Sequence, residues 1–129
     1  MATIRFFEDL EVWQSAREFC KDIFRIIHYP NFSKDFSLKD QIDRSSGSIM
    51  DNIAEGFERG SNKEFIQFLY ISKGSCGESR SQLHRAFDRN YLPETEYNML
   101  KDKTLNISGK ISNFITYLKN SEMKGEKFK

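Results

Sequence analysis

The stretch NIAEGFERGSNKEF, residues 52–65, crowds carboxylates, amides, an arginine and two glycines into one short segment. Asn52, Glu55, Gly56 and Arg59 recur at spacings of three and four, which puts them on one side of a helix. Glu55 falls near that helix's C-terminal end, where the dipole disfavours a carboxylate. Arg59, one turn on, relieves it in the favourable acid-before-base order, worth about 0.2–0.5 kcal/mol when exposed. Gly60 can adopt the left-handed conformation that stops a helix, and Ser61 with Glu64 makes the S-x-x-E box that starts the next one. The stretch therefore reads as a joint between two helices, made by Asn52, Glu55, Gly56, Arg59, Gly60, Ser61 and Glu64. An active site would need a nucleophile or base pair with an orienting third group, and the segment holds neither a histidine nor a metal-ligand spacing.

Apolar periodicity extends from the joint in both directions. Upstream, Leu38, Ile42, Ser45, Ile49 and Ile53 form the inward stripe of a helix over 37–59, with Ser37 as N-cap and Asp40 near the capping-box position. Downstream, Phe65, Leu69, Ser72, Cys76, Ser79, Leu83 and Ala86 do the same for a helix over 62–90. Before these, Trp13, Ala16, Cys20, Ile23 and Ile27 mark a helix over 9–28, with Asp9 as N-cap and Tyr29-Pro30 as its stop. After them, Pro93 opens a helix over 93–119 whose stripe is Tyr97, Leu100, Thr104, Ile107, Ile111, Phe114 and Leu118. Short connections between long amphipathic helices make neighbours antiparallel. The expected fold is all-α, an up-down-up-down antiparallel four-helix bundle over 1–120, with a frayed, charged tail at 121–129. Gly47, Ser48, Gly74, Ser75 and Gly77, small residues midway along the central helices, are expected to let their backbones approach closely. A helical glycine costs about 1 kcal/mol relative to alanine, so a packing reason is expected.

The bulk numbers agree. The 129 residues suffice for one core, and 38% hydrophobic with 30% charged residues is a globular composition. No apolar run approaches the roughly 20 residues of a membrane span, and acids interrupt the N-terminus where a secretory leader would be apolar. Cys20 and Cys76 lie within helical patterns and read as buried free thiols of a cytoplasmic protein. Net charge is +1, below the surplus of a dedicated nucleic-acid binder. It is unevenly spread: residues 29–60 hold four Lys/Arg against six Asp/Glu, whereas 61–92 hold five against three.

FEDLEVWQSAREF (7–19), QIDRSSGSIMDNIAEGFERGSNKEFIQFLYISKGS (41–75) and QLHRAFDRNYL (82–92) together resemble the 23S ribosomal-RNA intervening-sequence proteins, a family of four-helix bundles. The DLEVWQ start and the NIAEG…R.S..EF block carry most of the resemblance, which runs to about residue 118. It implies a bacterial, cytoplasmic homopentamer. It also implies kinship with the accessory variability protein of diversity-generating retroelements, which partners a reverse transcriptase and binds nucleic acid. The sequence departs from the family pattern at Met50-Asp51, where relatives often carry proline before the asparagine, and at Asp43, where a basic residue is common.

Lys73, Arg80, His84, Arg85 and Arg89 fall along the later half of the third helix. Lys73, Arg80, Arg85 and Arg89 are the nucleic-acid candidates, since such a basic strip could neutralise phosphates; the alternative is a solvated charged face. Phe6, Phe7, Phe32, Phe36 and Phe57 either cap the bundle ends or form a subunit interface. His28 and His84 have no paired metal spacing, no phosphate loop or serine elbow is present, and no cofactor is implied. Together with the resemblance, these residues point to a non-enzymatic, RNA-associated oligomer, with a protein-binding adaptor for a nucleic-acid enzyme as the alternative and an enzyme as the third reading.

Overall fold

The computed structural model describes residues 4–123. They form α1 (Glu11–Ile26), α2 (Phe36–Glu58), α3 (Asn62–Asp88) and α4 (Glu94–Met123), with short 3₁₀ turns at Phe7–Asp9 and Phe32–Lys34. Each helix packs on two neighbours: α1 and α3 both contact α2 and α4. That closed ring of neighbours is an antiparallel four-helix bundle, as cross-helix partners show. Ser45 meets Ser79 while Ser48 meets Ser75, so numbers rise along α2 as they fall along α3. Across α3 and α4, His84 meets Tyr97 and Asn62 meets Leu118. Across α1 and α4, Arg25 pairs with Glu96 and Lys110 bonds Ser15.

The inward stripes of α2 and α3 are buried throughout, from Leu38 to Ile53 and from Phe65 to Ala86. On α4, Phe114 is only partly buried, and Ile115 joins the core. α1 buries a second row, Val12, Phe19 and Ile26, beside the expected one, whereas Cys20 is half-buried. Removing an Ile, Leu or Phe side chain from water contributes about 1.5–3 kcal/mol, so these stripes outweigh any surface pairing.

Helix ends show where expectation and structure part. Asp9 does not cap α1: its carboxylate accepts the backbone N–H groups of Arg5 and Phe6 at 3.1 Å each, closing the preceding turn, and α1 starts at Glu11. Asp35, not Ser37, caps α2, accepting Leu38 N–H at 3.2 Å. A carboxylate is the stronger acceptor, and this one is also held by the Tyr91 hydroxyl and Arg89, both at 2.7 Å. Ser37 sits inside the first turn and accepts from Gln41. Ser61 caps α3 as expected, accepting Glu64 N–H at 3.2 Å. α3 stops at Asp88 because Asn90 takes a left-handed conformation, φ 61°, and Tyr91 N–H bonds the Ala86 carbonyl, an asparagine version of the glycine stop. α4 runs on to Met123, so Ser121–Met123 are helical rather than frayed. The rest of the expected tail lies outside the described residues.

The expectation for the central small residues holds for the serines and fails for the glycines. Ser45, Ser48, Ser72, Ser75 and Ser79 line the α2/α3 seam, joined by Ser45–Ser79 (2.8 Å), Ser48–Ser75 (2.9 Å) and Ser72 to the Ile49 carbonyl (2.8 Å). Around Gly47, Gly74 and Gly77, a methyl group would meet nothing within 4 Å; they face outward. Close approach belongs to Gly56, where an added Cβ would lie 2.7 Å from Phe68 Cβ and 2.9 Å from Phe65 Cδ1.

Candidate nucleic-acid interface

The joint at 52–65 is assembled largely as its sequence implies. Arg59 pairs with Glu55 at 2.9 Å, lies 3.7 Å from Glu64, and places its guanidinium 5.0 Å from the Phe68 ring centre. Gly60 has φ 82°. Asn52 is not part of this clasp: its amide donates to the Ser48 carbonyl and hydroxyl, both at 2.8 Å. These interactions satisfy one another and leave no reactive group poised.

The expected basic strip on α3 divides in two. At 3.6 residues per turn, Arg85 lies about 140° around the helix from Arg80. Arg85 turns to α2 and bonds Gln41 at 2.9 Å, while Arg89 is bound by Asp35. Lys73, Arg80 and His84 stay on the flank beside α4. There they fall into a 3-4-3-4 row, Tyr70, Lys73, Gly77, Arg80 and His84, of the kind that shares one helix face.

α4 supplies the opposite bank. Lys101, Leu105, Ser108, Ser112 and Lys119 form its row against this flank. Lys119 Nζ donates to the Tyr70 hydroxyl at 3.1 Å and lies 5.6 Å from that ring's centre. Lys101 lies 5.1 Å from the Tyr97 ring centre, and the Tyr97 hydroxyl is 2.6 Å from His84 Nδ1. The two rows contain no acid; Asp88 and Glu94 stand beyond them at the α3–α4 turn. Among the described residues, Lys73, Arg80, Lys101 and Lys119 have no carboxylate within 4 Å, whereas Arg25, Arg44, Arg59, Arg89, Lys103 and Lys110 all do. Lys101 and Lys119 were missed from sequence because they belong to another helix, separated from Lys73 by up to 46 positions.

The α1/α4 seam has the opposite character. Lys103 pairs with Asp22 and Lys110 with Glu11, and two open hollows of about 280 and 420 Å³ lie beside them. Its cations are already neutralised. Neither thiol is activated: burial pushes Cys76 up to about 12, and Cys20, whose thiol donates to the Ser46 carbonyl at 3.1 Å, up to about 11. Among the described residues, no group of three or more His, Cys, Asp or Glu could hold a metal ion, and no helix is long and apolar enough to cross a membrane.

Of the aromatic residues set apart in the sequence, Phe32 is fully buried, and Phe7 and Phe57 pack partly against the core. Phe6 and Phe36 remain 61% and 77% exposed, joined by Phe24 at 63%.

The fold and this surface define the class: an antiparallel four-helix bundle carrying an acid-free cationic face between its last two helices. The chain belongs to the 23S rRNA-intervening sequence protein family, whose model matches residues 8–113. It is also similar to a crystal structure of a protein of unknown function from the S23 ribosomal protein family of Bacteroides thetaiotaomicron. That similarity has a TM-score of 0.76 and 26% identity, and covers 81% of this chain and 97% of that one. No curated protein matches.

Proposed function

We propose that the protein is a non-enzymatic, oligomeric bundle of the bacterial cytoplasm that associates with structured RNA through the α3/α4 face. The observation that carries this is the set of four cations, Lys73, Arg80, Lys101 and Lys119, along the α3/α4 flank, none with a carboxylate within 4 Å among the described residues. Unpaired cations on one face attract phosphate and release counterions when they bind it.

The test is the salt dependence of RNA binding by fluorescence anisotropy. Affinity falls steeply with salt, and the slope of log K against log[salt] shrinks by nearly one for each phosphate contact removed. Lys73→Glu with Lys101→Glu abolishes binding at moderate salt, whereas Arg85→Glu, on the α2 side, leaves it nearly intact. Absence of binding at low salt refutes the proposal.

Assembly into a homopentamer is part of the same reading, drawn from the family resemblance and supported by exposed Phe24 and Phe36, which a neighbouring surface would cover. Light scattering giving five subunits supports it, and a monomer at micromolar concentration refutes it. The same aromatic residues favour a second reading, an adaptor for a nucleic-acid enzyme such as a reverse transcriptase. In that case Phe24→Ser with Phe36→Ser releases the enzyme in a pull-down without changing RNA affinity.

A further inference from the structure

The α3/α4 groove carries rings as well as cations, and the rings bear on the form of RNA it takes. Tyr70 is 51% exposed at one end of the row. The bond from Lys119 to its hydroxyl holds the ring in place instead of leaving it to turn freely. Leu105, 50% exposed, lies along the opposite bank. Between them on the two rows fall the small, half-buried residues Gly77, Ser108 and Ser112, and a Cβ at Gly77 would meet nothing within 4 Å. The distance along α3 from Tyr70 to His84 is about 21 Å at 1.5 Å per residue.

A regular duplex presents phosphates and sugars to such a face. It would use the four cations, but its bases, stacked on one another, offer no face to an aromatic ring. An unpaired strand offers both: phosphates for Lys73, Arg80, Lys101 and Lys119, and a free base face for Tyr70. The small residues between these groups let the strand lie close to the helices. We infer that the groove is built for an unpaired segment of RNA, a loop or single-stranded end, with Tyr70 stacking on one base while the cations track the backbone. This inference rests on the RNA reading above and adds the class of strand and the residue that selects it.

The experiment compares a fluorescently labelled 12-mer oligouridine with an RNA duplex of equal length across a salt series, using the full chain. The single strand binds about tenfold or more tightly than the duplex. Tyr70→Ala weakens single-strand binding about tenfold, within the range seen when a stacked base loses its aromatic platform. It leaves both the salt slope and duplex binding unchanged, because no phosphate contact is lost. Tyr70→Phe keeps the ring and most of the affinity. Lys73→Glu lowers affinity for both RNAs and flattens both salt slopes. Circular dichroism checks that each variant keeps the wild-type helical content and melting temperature; Tyr70 is exposed enough for the alanine variant to pass. Equal affinity for the two RNAs with an indifferent Tyr70→Ala overturns the single-strand inference alone. No binding of either RNA overturns the reading beneath it.

Discussion

Replacing Gly56 with alanine tests whether α2 and α3 are held at backbone contact. The new methyl would sit 2.7 Å from Phe68 Cβ and 2.9 Å from Phe65 Cδ1, against ordinary carbon–carbon contacts of about 3.5–4.0 Å. The shortfall is therefore near 1 Å. Phe68 Cβ is fixed to the α3 backbone, so no turn of its side chain relieves the contact and the helices themselves must part. Overpacking of this kind costs about 1–3 kcal/mol, and the upper end applies because the obstacle is not the tip of a flexible side chain. Alanine regains about 1 kcal/mol of helix propensity, leaving a net loss of about 2 kcal/mol. For a chain of this size that corresponds to roughly 6–10 °C in melting temperature, read by circular dichroism and by urea unfolding. Gly74→Ala is the internal control: with nothing within 4 Å of its new methyl, it gains about 1 kcal/mol. Opposite signs for the two substitutions follow only if one glycine is at the seam and the other faces outward. A Gly56→Ala protein as stable as the parent would refute the close-approach argument.

Asp35 receives the Tyr91 hydroxyl, Leu38 N–H and Arg89, which together hold its carboxyl below the ordinary value of 3.8. Its contribution to stability is whole above that value and is lost as pH falls through the lower folded one. Asp35→Ala thus costs about 1–2 kcal/mol at pH 7 as a lost cap, and its melting curves converge with the parent's in strong acid. Ser45→Ala strands the buried Gln82 carbonyl, 2.6 Å from the Ser45 hydroxyl, and deprives Ser79 of its partner. It loses about 1–3 kcal/mol, and adding Gln82→Leu with Ser79→Ala restores much of it, as urea titrations would show. Cys76, buried and raised to about 12, reacts with a thiol reagent at pH 8 only as fast as the bundle opens. Denaturant accelerates that reaction by orders of magnitude, and with the half-buried Cys20 replaced by serine a rapid native reaction would contradict the burial of Cys76.

Much of the fold was legible because its strongest terms are local or periodic. A 3-4 apolar repeat is a property of one helix and survives whatever its neighbours do, so the stripes from Leu38 to Ile53 and from Phe65 to Ala86 could be read directly. The joint was legible for the same reason: Glu55 and Arg59 are one turn apart, and Gly60 with Ser61 stops one helix and caps the next within two residues. The starts of α1 and α2 were less legible: Asp9 spends its carboxylate on the turn before α1, and α2 is capped by Asp35, two positions before the expected Ser37. Contacts from elsewhere decided at Asp35, where Tyr91 and Arg89, more than 50 positions away, hold the carboxylate that caps α2.

Two features belonged to the tertiary structure alone. The outward or inward facing of a glycine leaves no mark on the sequence, since glycine has no side chain to contribute to a stripe; only the packed neighbour gives Gly56 a meaning different from Gly74. The cationic face is likewise invisible along the chain. Sequence order grouped Lys73, Arg80, Arg85 and Arg89 because they share a helix. The bundle regroups the first two with Lys101 and Lys119 because antiparallel packing brings two helices' flanks together. Periodicity fixes which side of each helix is oily. Which polar flanks become neighbours depends on how the helices pair, and that is set by the burial of all four stripes at once.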